Sequence, residues 1–336
     1  MTEGPSLEQL DDHLLTQHLT GSWMGRTLAG RAAPKPQPRT GYAANLWKWP
    51  DIHAGLLESG KLVPVGPQGL TEMRSIRGAG ALDQAIDMNA QILMPGERTR
   101  AHRNMRNETR LVWQAPAGAV FVCDGQAFPM QRGDLIVSPT WTDHDHYNGG
   151  DTPAIWVDGY DTGYARLGAE INIRYPEANP YQQVRPSPPE RLKPWPAAPA
   201  PRPPVHYPWP ETRAALDALH SDAQPDPYDP FQILFTSPVD GGPTLPTIAW
   251  HAQLLPSGCR TKRHRHNSTT CCHAFEGHGV TTVEDERLEW DPGDLFTIPP
   301  WTWHSHHNPS STEAVLFSID DWPAMTALGF YRKEEG

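Results

Sequence analysis

From about residue 85 onward, apolar positions fall in short alternating runs: AIDMNAQILM, RLVWQ, AVFVC, DLIVSP and AIWVDGY, separated by Gly, Pro and Asp. Period-two alternation over runs of this length predicts strands, and their close spacing predicts an antiparallel sandwich or barrel. The pattern resumes later with TIAWHAQLL, CCHAFEG, GVTTVE, DLFTIP and AVLFSI. Helical spacing is confined to three places. Leu7, Leu10, Leu14 and Leu15 line one side of a helix within 1–22, residues 51–60 form a short helix stopped by Gly60, and a third covers 211–221. Residues 34–50 are proline-rich and aromatic, like an arm laid on a surface, and 174–210 form a proline-dense connector expected to be extended. The chain therefore divides into an N-terminal arm with short helices (1–84), a β domain (85–170), a proline-rich linker with a short helix (171–230) and a second β domain (231–336).

The two β domains repeat each other. Residues 132–148 read RGDLIVSPTWTDHDHYN and 292–308 read PGDLFTIPPWTWHSHHN, with PGERTRAHRN at 95–104 answering PSGCRTKRHRH at 256–266. Long-range self-similarity of this kind marks a duplicated domain. The second copy holds His264, His266 and His304; the first has His102, Asn104 and His144 at the same places. His264 and His266 alternate on one predicted strand and so share a face, and His304 arrives on a neighbouring strand. Three neutral imidazoles with open positions opposite suit Fe(II), Mn(II), Ni(II), Cu(II) or Zn(II).

Composition narrows the classes of function. With 336 residues, a net charge of −11 and a pI near 5.8, the chain is large enough for two cores and is a poor coat for nucleic acid. No apolar run is long enough to span a membrane and the first residues carry no secretory pattern, so a soluble, cytoplasmic protein is expected. Cys123, Cys259, Cys271 and Cys272 make no disulfide framework in a chain of this size, and the adjacent pair is expected to be buried on opposite faces of a strand.

The spacing G-x5-H-x-H followed by G-x5-P and H-x3-N is the pattern of the cupin family of small β-barrels, and both halves resemble it, the first with Asn104 in place of the second His. The resemblance implies an all-β fold of two tandem cupin barrels (double-stranded β-helix, jelly-roll-like), with short helices in the arm and linker. Many cupins place a Glu four residues after the second His; the second half has Thr270 there. A closer resemblance rests on NLWKW (45–49), LLESGKLVPV (56–65), QILMPGE (91–97), IWVDGYD (155–161) and AVLFSIDDWPAMTALGFYR (314–332). These phrases are similar to gentisate 1,2-dioxygenases and their salicylate and 1-hydroxy-2-naphthoate relatives.

That resemblance implies an Fe(II) enzyme of the extradiol type. It would insert both atoms of O2 into an aromatic hydroxy acid, cutting between the carboxyl- and hydroxyl-bearing carbons. It also implies a homo-oligomer, with a tetramer as the common form. In the family the iron usually sits in the first barrel, which here maps to His102, Asn104 and His144. Because Asn is a weak ligand, the intact triad His264, His266 and His304 is the preferred metal site. Iron at His102, Asn104 and His144, with Glu108 in the cupin carboxylate position, remains the alternative. By the same resemblance His146 acts as acid or base, with His306 as its counterpart in the second barrel. Arg110, Arg74 and Arg77 are implied to hold the substrate anion. Departures around the first site (Arg100, Met105, Arg106, Asn107) point to a salicylate carrying a nitro, halo or amino group. The competing readings are another cupin reaction, such as diketone or flavonol cleavage or an isomerisation without O2, and a non-catalytic ligand-binding bicupin.

Overall fold

The computed structural model describes residues 6–24, 43–66, 70–71, 74–78, 85–168, 181, 202–222 and 224–336. Most of the proline-dense connector (171–180 and 182–201) and residues 34–42 of the arm lie outside the described residues. Two barrels follow one another, each made of two facing sheets. The first pairs a seven-stranded sheet with a five-stranded one, and the second a six-stranded sheet with a five-stranded one. Among the described residues strand pairing is antiparallel except for one short parallel pair, Leu70–Thr71 with Arg98–Thr99.

The strands form where the alternating runs lie. Asp87–Leu93, Glu108–Gln114, Leu135–Ser138 and Ala154–Tyr160 build the centre of the first large sheet. Their equivalents Ala249–Leu255, Thr270–Glu276, Leu295–Ile298 and Ala314–Asp320 build that of the second. The large sheets pack face to face across the duplication. Trp250 Nε1 donates to Thr109 Oγ1 at 2.8 Å, and Gly159 is small because a Cβ there would meet Ile319 at 2.6 Å and Trp250 at 2.9 Å. One apolar core, including Val157, Trp250, Phe317 and Ile319, therefore runs through both halves.

Each barrel's large sheet is completed by a strand from outside its own repeat. In the arm, Asn45–Trp47 pairs with Leu295–Ile298 of the second barrel, while Val205–Tyr207 of the linker pairs with Leu135–Ser138 of the first. The duplicated Gly-Asp turns explain both dockings. Asp134 accepts from Trp209 N at 2.9 Å and Asp294 from Trp49 N at 2.7 Å. Gly133 (φ +85°) and Gly293 (φ +99°) sit under those same indole rings, where a Cβ would come within 2.5 and 2.2 Å of a Trp atom.

The expected helices are present as Leu7–Thr16, Trp49–Leu62 and Trp209–Asp222, the second running on through Gly60 rather than stopping there. Ser6 caps the first with a full capping box, in which Gln9 N donates to Ser6 Oγ. The arm, expected to carry short helices, also contributes strands Leu19–Gly21 and Ser75–Gly78 to the edge of the first large sheet. All four cysteines are free; Cys271 faces the shared core and Cys272 the interior of the second barrel. No described helix is long and apolar enough to cross a membrane.

Candidate metal centre

In the second barrel, strand His264–His266 meets strand His304–His307 with His264 opposite His304. That register, with the two-residue alternation, aims three imidazoles at one point. Their ligand nitrogens all lie within 4.8 Å of one another, the one such cluster of His, Cys, Asp or Glu found among the described residues. Ring centroids are 4.2 Å apart for His264 and His304, and 5.0 Å for His266 and His304. His304 Nδ1 is 3.0 Å from Thr302 O, and His266 Nδ1 is 2.8 Å from Ser268 Oγ. These contacts turn Nε2 of both rings to the shared point, the arrangement that outer-sphere partners impose on metal-binding histidines.

Burial keeps the rings uncharged. It lowers His264 to about 4, takes His304 well below its ordinary value with help from His266 and His264, and lowers His266 too. Neutral imidazole is the ligand form, and His264 Nδ1 is buried without a hydrogen-bond partner. Three convergent neutral nitrogens on a rigid sheet fit a divalent transition metal with open coordination positions.

The triad opens onto a cavity of about 220 Å³ inside the second barrel. His306 lines it, with Nδ1 2.8 Å from Thr281 Oγ1, itself fixed by Trp290 Nε1 at 3.0 Å; burial brings His306 to about 4. Thr270, at the position where many cupins carry Glu, faces the cavity with its hydroxyl buried and unpartnered. A carboxylate comes instead from Asp229, in the loop before the first strand of this barrel. Its Oδ1 is 3.6 Å from His264 Nε2 and its Oδ2 accepts from Lys333 Nζ at 2.9 Å. Sequence reading missed Asp229 and Lys333, because neither lies in a repeated phrase. Trp301 and Trp303 are outside the cavity, under the Arg265 guanidinium at 4.5 and 4.6 Å.

The first barrel has the same frame with a different filling. His102 and His144 bridge as His264 and His304 do, their rings 4.4 Å apart. Glu108 comes up against His144. Its Oε1 accepts from Asn104 Nδ2 at 2.6 Å and Arg106 Nε at 2.9 Å, and its Oε2 accepts from Arg110 at 2.6 Å and lies 2.9 Å from His144 Nε2. Burial alone would raise this carboxyl, but His144, Arg106 and Arg110 hold it well below its ordinary value.

The other residues expected to serve the substrate are also engaged. Arg110 Nε donates to His146 Nε2 at 2.8 Å, and its Nη1 to Ser138 Oγ at 2.8 Å. His146 stacks on Trp156 at 4.6 Å. Arg74 is fully buried in a two-pronged bond to Glu97, at 2.9 and 2.5 Å. Arg77 lies on strand Ser75–Gly78, opposite Thr20 of the edge strand Leu19–Gly21. The structure thus gathers His102, Asn104, Glu108, Arg110, His144 and His146 into one buried network, and leaves Arg74 and Arg77 on a neighbouring part of that barrel. None of these residues lines the cavity of the second barrel.

The buried histidines set the direction of acid sensitivity. His264 and His306 titrate near 4 when folded and near the ordinary 6.5 when unfolded, so below 6.5 the unfolded chain binds the extra protons. Their contribution to stability is complete above 6.5 and is lost as pH falls toward 4; His102, lowered to about 4, acts alike. Asp158 and Asp321, raised by burial to about 7 and 6, work in the opposite direction but are fewer. Thermal melts of the metal-free protein should show Tm falling steadily from pH 6.5 to 4. A flat Tm across that window would contradict the burial of neutral rings.

The family description "Cupin domain" matches residues 90–160 and 250–320, the two barrels described above. The fold and the site thus define a tandem cupin protein. Over 89% of this chain and 83% of its own length, a 5-aminosalicylate 1,2-dioxygenase from Comamonas sp. is 33% identical. A 1-hydroxy-2-naphthoate 1,2-dioxygenase from Nocardioides sp. is 32% identical over 99% of this chain and 88% of its own. The crystal structure of salicylate 1,2-dioxygenase from Pseudaminobacter salicylatoxidans superposes with a TM-score of 0.73 at 26% identity, covering 100% of this chain and 99% of that one. The chain belongs to the gentisate and salicylate 1,2-dioxygenase family of bicupins.

Proposed function

We propose that this protein is an Fe(II)-dependent dioxygenase that opens the ring of a salicylate-type anion inside its second barrel. The observation that carries the reading is the convergence of His264, His266 and His304 on a cavity, in a chain whose relatives are named as 1,2-dioxygenases of aminosalicylate, hydroxynaphthoate and gentisate. A salicylate 1,2-dioxygenase of the same fold has been crystallised with gentisate. Ferrous iron held by the three imidazoles supplies positive charge for an ortho-hydroxy carboxylate and electrons for O2.

The chain's own residues do the rest. Three neutral ligands add no negative charge, so the site keeps its attraction for an anion. In the tautomer whose Nδ1–H donates to Thr281 Oγ1, Nε2 of His306 is the nitrogen that takes the phenolic proton. Buried Cys272, Ile298 and Leu316 form the apolar part of the wall that receives the ring. One C–C bond breaks between the carboxyl- and hydroxyl-bearing carbons, two C–O bonds form, and both atoms of O2 end in the ring-opened acid, so no external reductant is required. A substituted salicylate is the proposed substrate.

Oxygen uptake by anaerobically purified, Fe(II)-loaded protein tests this directly. Gentisate, salicylate, 5-nitro-, 5-chloro- and 5-aminosalicylate and 1-hydroxy-2-naphthoate make up the panel. Stoichiometric uptake with a ring-opened product is expected for at least one substituted salicylate, faster than for gentisate. Iron-loaded protein that consumes no O2 with any of them would point to an O2-independent cupin or a binding protein.

A further inference from the structure

Apart from its histidines, the cavity of the second barrel is lined by acidic Asp229 and Asp320, and Lys333 is the one Lys or Arg among its lining residues. An aromatic carboxylate entering beside the triad needs a cation, and Arg74, Arg77 and Arg110 belong to the other barrel. The strand Lys333–Glu335 lies antiparallel to His264–His266, with Lys333 opposite His266 and Glu334 opposite Arg265. Directly opposed residues share a face of the sheet, so Lys333 is on the side of the ligands. Glu334 takes the outer side, where it pairs with Arg265 at 2.6 Å. Backbone bonds at both ends fix this register: Asn267 N to Arg332 O at 3.1 Å and Gly336 N to Arg263 O at 2.9 Å.

Asp229 joins the lysine to the triad, since one of its oxygens accepts from Lys333 and the other lies 3.6 Å from His264 Nε2. The pair is partly open to solvent, with side-chain exposures of 32% for Lys333 and 24% for Asp229. Ion pairs of that exposure are weak, so exchanging one carboxylate partner for another costs little.

We propose that Lys333 is the anchor for the substrate carboxylate, delivered to the metal centre by the last strand and held in place by Asp229 until the anion binds. The inference rests on the reading that the chemistry occurs in the second barrel. In this arrangement the strand that carries the anchor is hydrogen-bonded to the strand that carries two metal ligands, so the distance between charge and metal is set by sheet register.

The test is anaerobic calorimetric titration of the Fe(II)-loaded, full-length protein with salicylate, and with phenol as the ligand lacking a carboxylate. The variants are Lys333→Met, Lys333→Arg and His264→Ala, with iron content measured for each. Lys333→Met is expected to weaken salicylate about 30-fold, the range of a lost charge-assisted bond, with phenol binding and iron content unchanged. Lys333→Arg keeps the charge and should recover affinity to within about threefold. Unchanged salicylate affinity in Lys333→Met, with His264→Ala abolishing binding, would overturn the anchor and leave the barrel assignment standing. Equal weakening of phenol and salicylate would also overturn it, by showing a damaged strand rather than a lost charge. Full salicylate affinity in His264→Ala would instead overturn the barrel assignment itself.

Discussion

Replacing His264 by Ala is expected to abolish metal binding and ring cleavage together. The remaining pair, His266 and His304, supplies two nitrogens to a site built for three. Loss of a mere outer-sphere partner already costs about 10- to 100-fold in metal affinity or activity, so loss of a ligand should exceed about 100-fold. Metal content, measured by plasma emission after gel filtration, is expected to fall from one ion per chain to a trace. His102→Ala should retain the ion and most of the turnover. Full activity in His264→Ala with none in His102→Ala would place the chemistry in the first barrel.

Glu108→Ala should strike stability and spare the metal. The Glu108 carboxylate is the shared acceptor for Asn104, Arg106 and Arg110, and both guanidiniums are almost entirely enclosed, with side-chain exposures of 17% and 2%. Removing one partner of a buried charge cluster leaves the others unpaired, at a cost of about 3–5 kcal/mol. In a protein of this size that corresponds to a Tm lower by about 10 °C. Arg110 also holds His146 and Ser138, and the Asp158 carboxylate beside it lies at 3.9 Å, beyond hydrogen-bond distance. Iron content per folded chain should remain that of the wild type. If Glu108→Ala melts normally and loses iron, Glu108 is a metal ligand and the first barrel is the metal centre.

Much of this architecture was legible in the chain because duplication writes it twice. The matching Gly-Asp turns, the two-residue alternation of His264 and His266 and the later His304 all carry period or spacing, and all fall where the repeat places them. What was not legible has a physical reason in each case. Asn45–Trp47 and Val205–Tyr207 are three-residue strands in proline-rich segments, too short to show a period, and each adds to a sheet centred on a distant repeat. Asp229 and Lys333 reach the cavity from a loop and from an edge strand outside the repeated phrases; only the register His266 opposite Lys333 brings them in.

Arg74 shows the opposite difficulty. Its residue type suits an anion, and the anion it holds is Glu97 of its own barrel. Asn104 was correctly singled out as the break in the repeat. Its consequence, a Glu108 carboxylate bonded to Asn104 and set against His144, depends on side-chain packing that spacing does not encode. The family resemblance brings together the residues of the first barrel, and the geometry shows Asn104, Glu108, Arg110 and His146 hydrogen-bonded to one another.

The most direct test of the central claim is anomalous diffraction at the iron edge from crystals of the Fe(II)-loaded protein. The account predicts one strong peak per chain, bounded by Nε2 of His266 and His304 and by His264, with no comparable peak in the first barrel. A peak between His102 and His144, with the second triad empty, would contradict it.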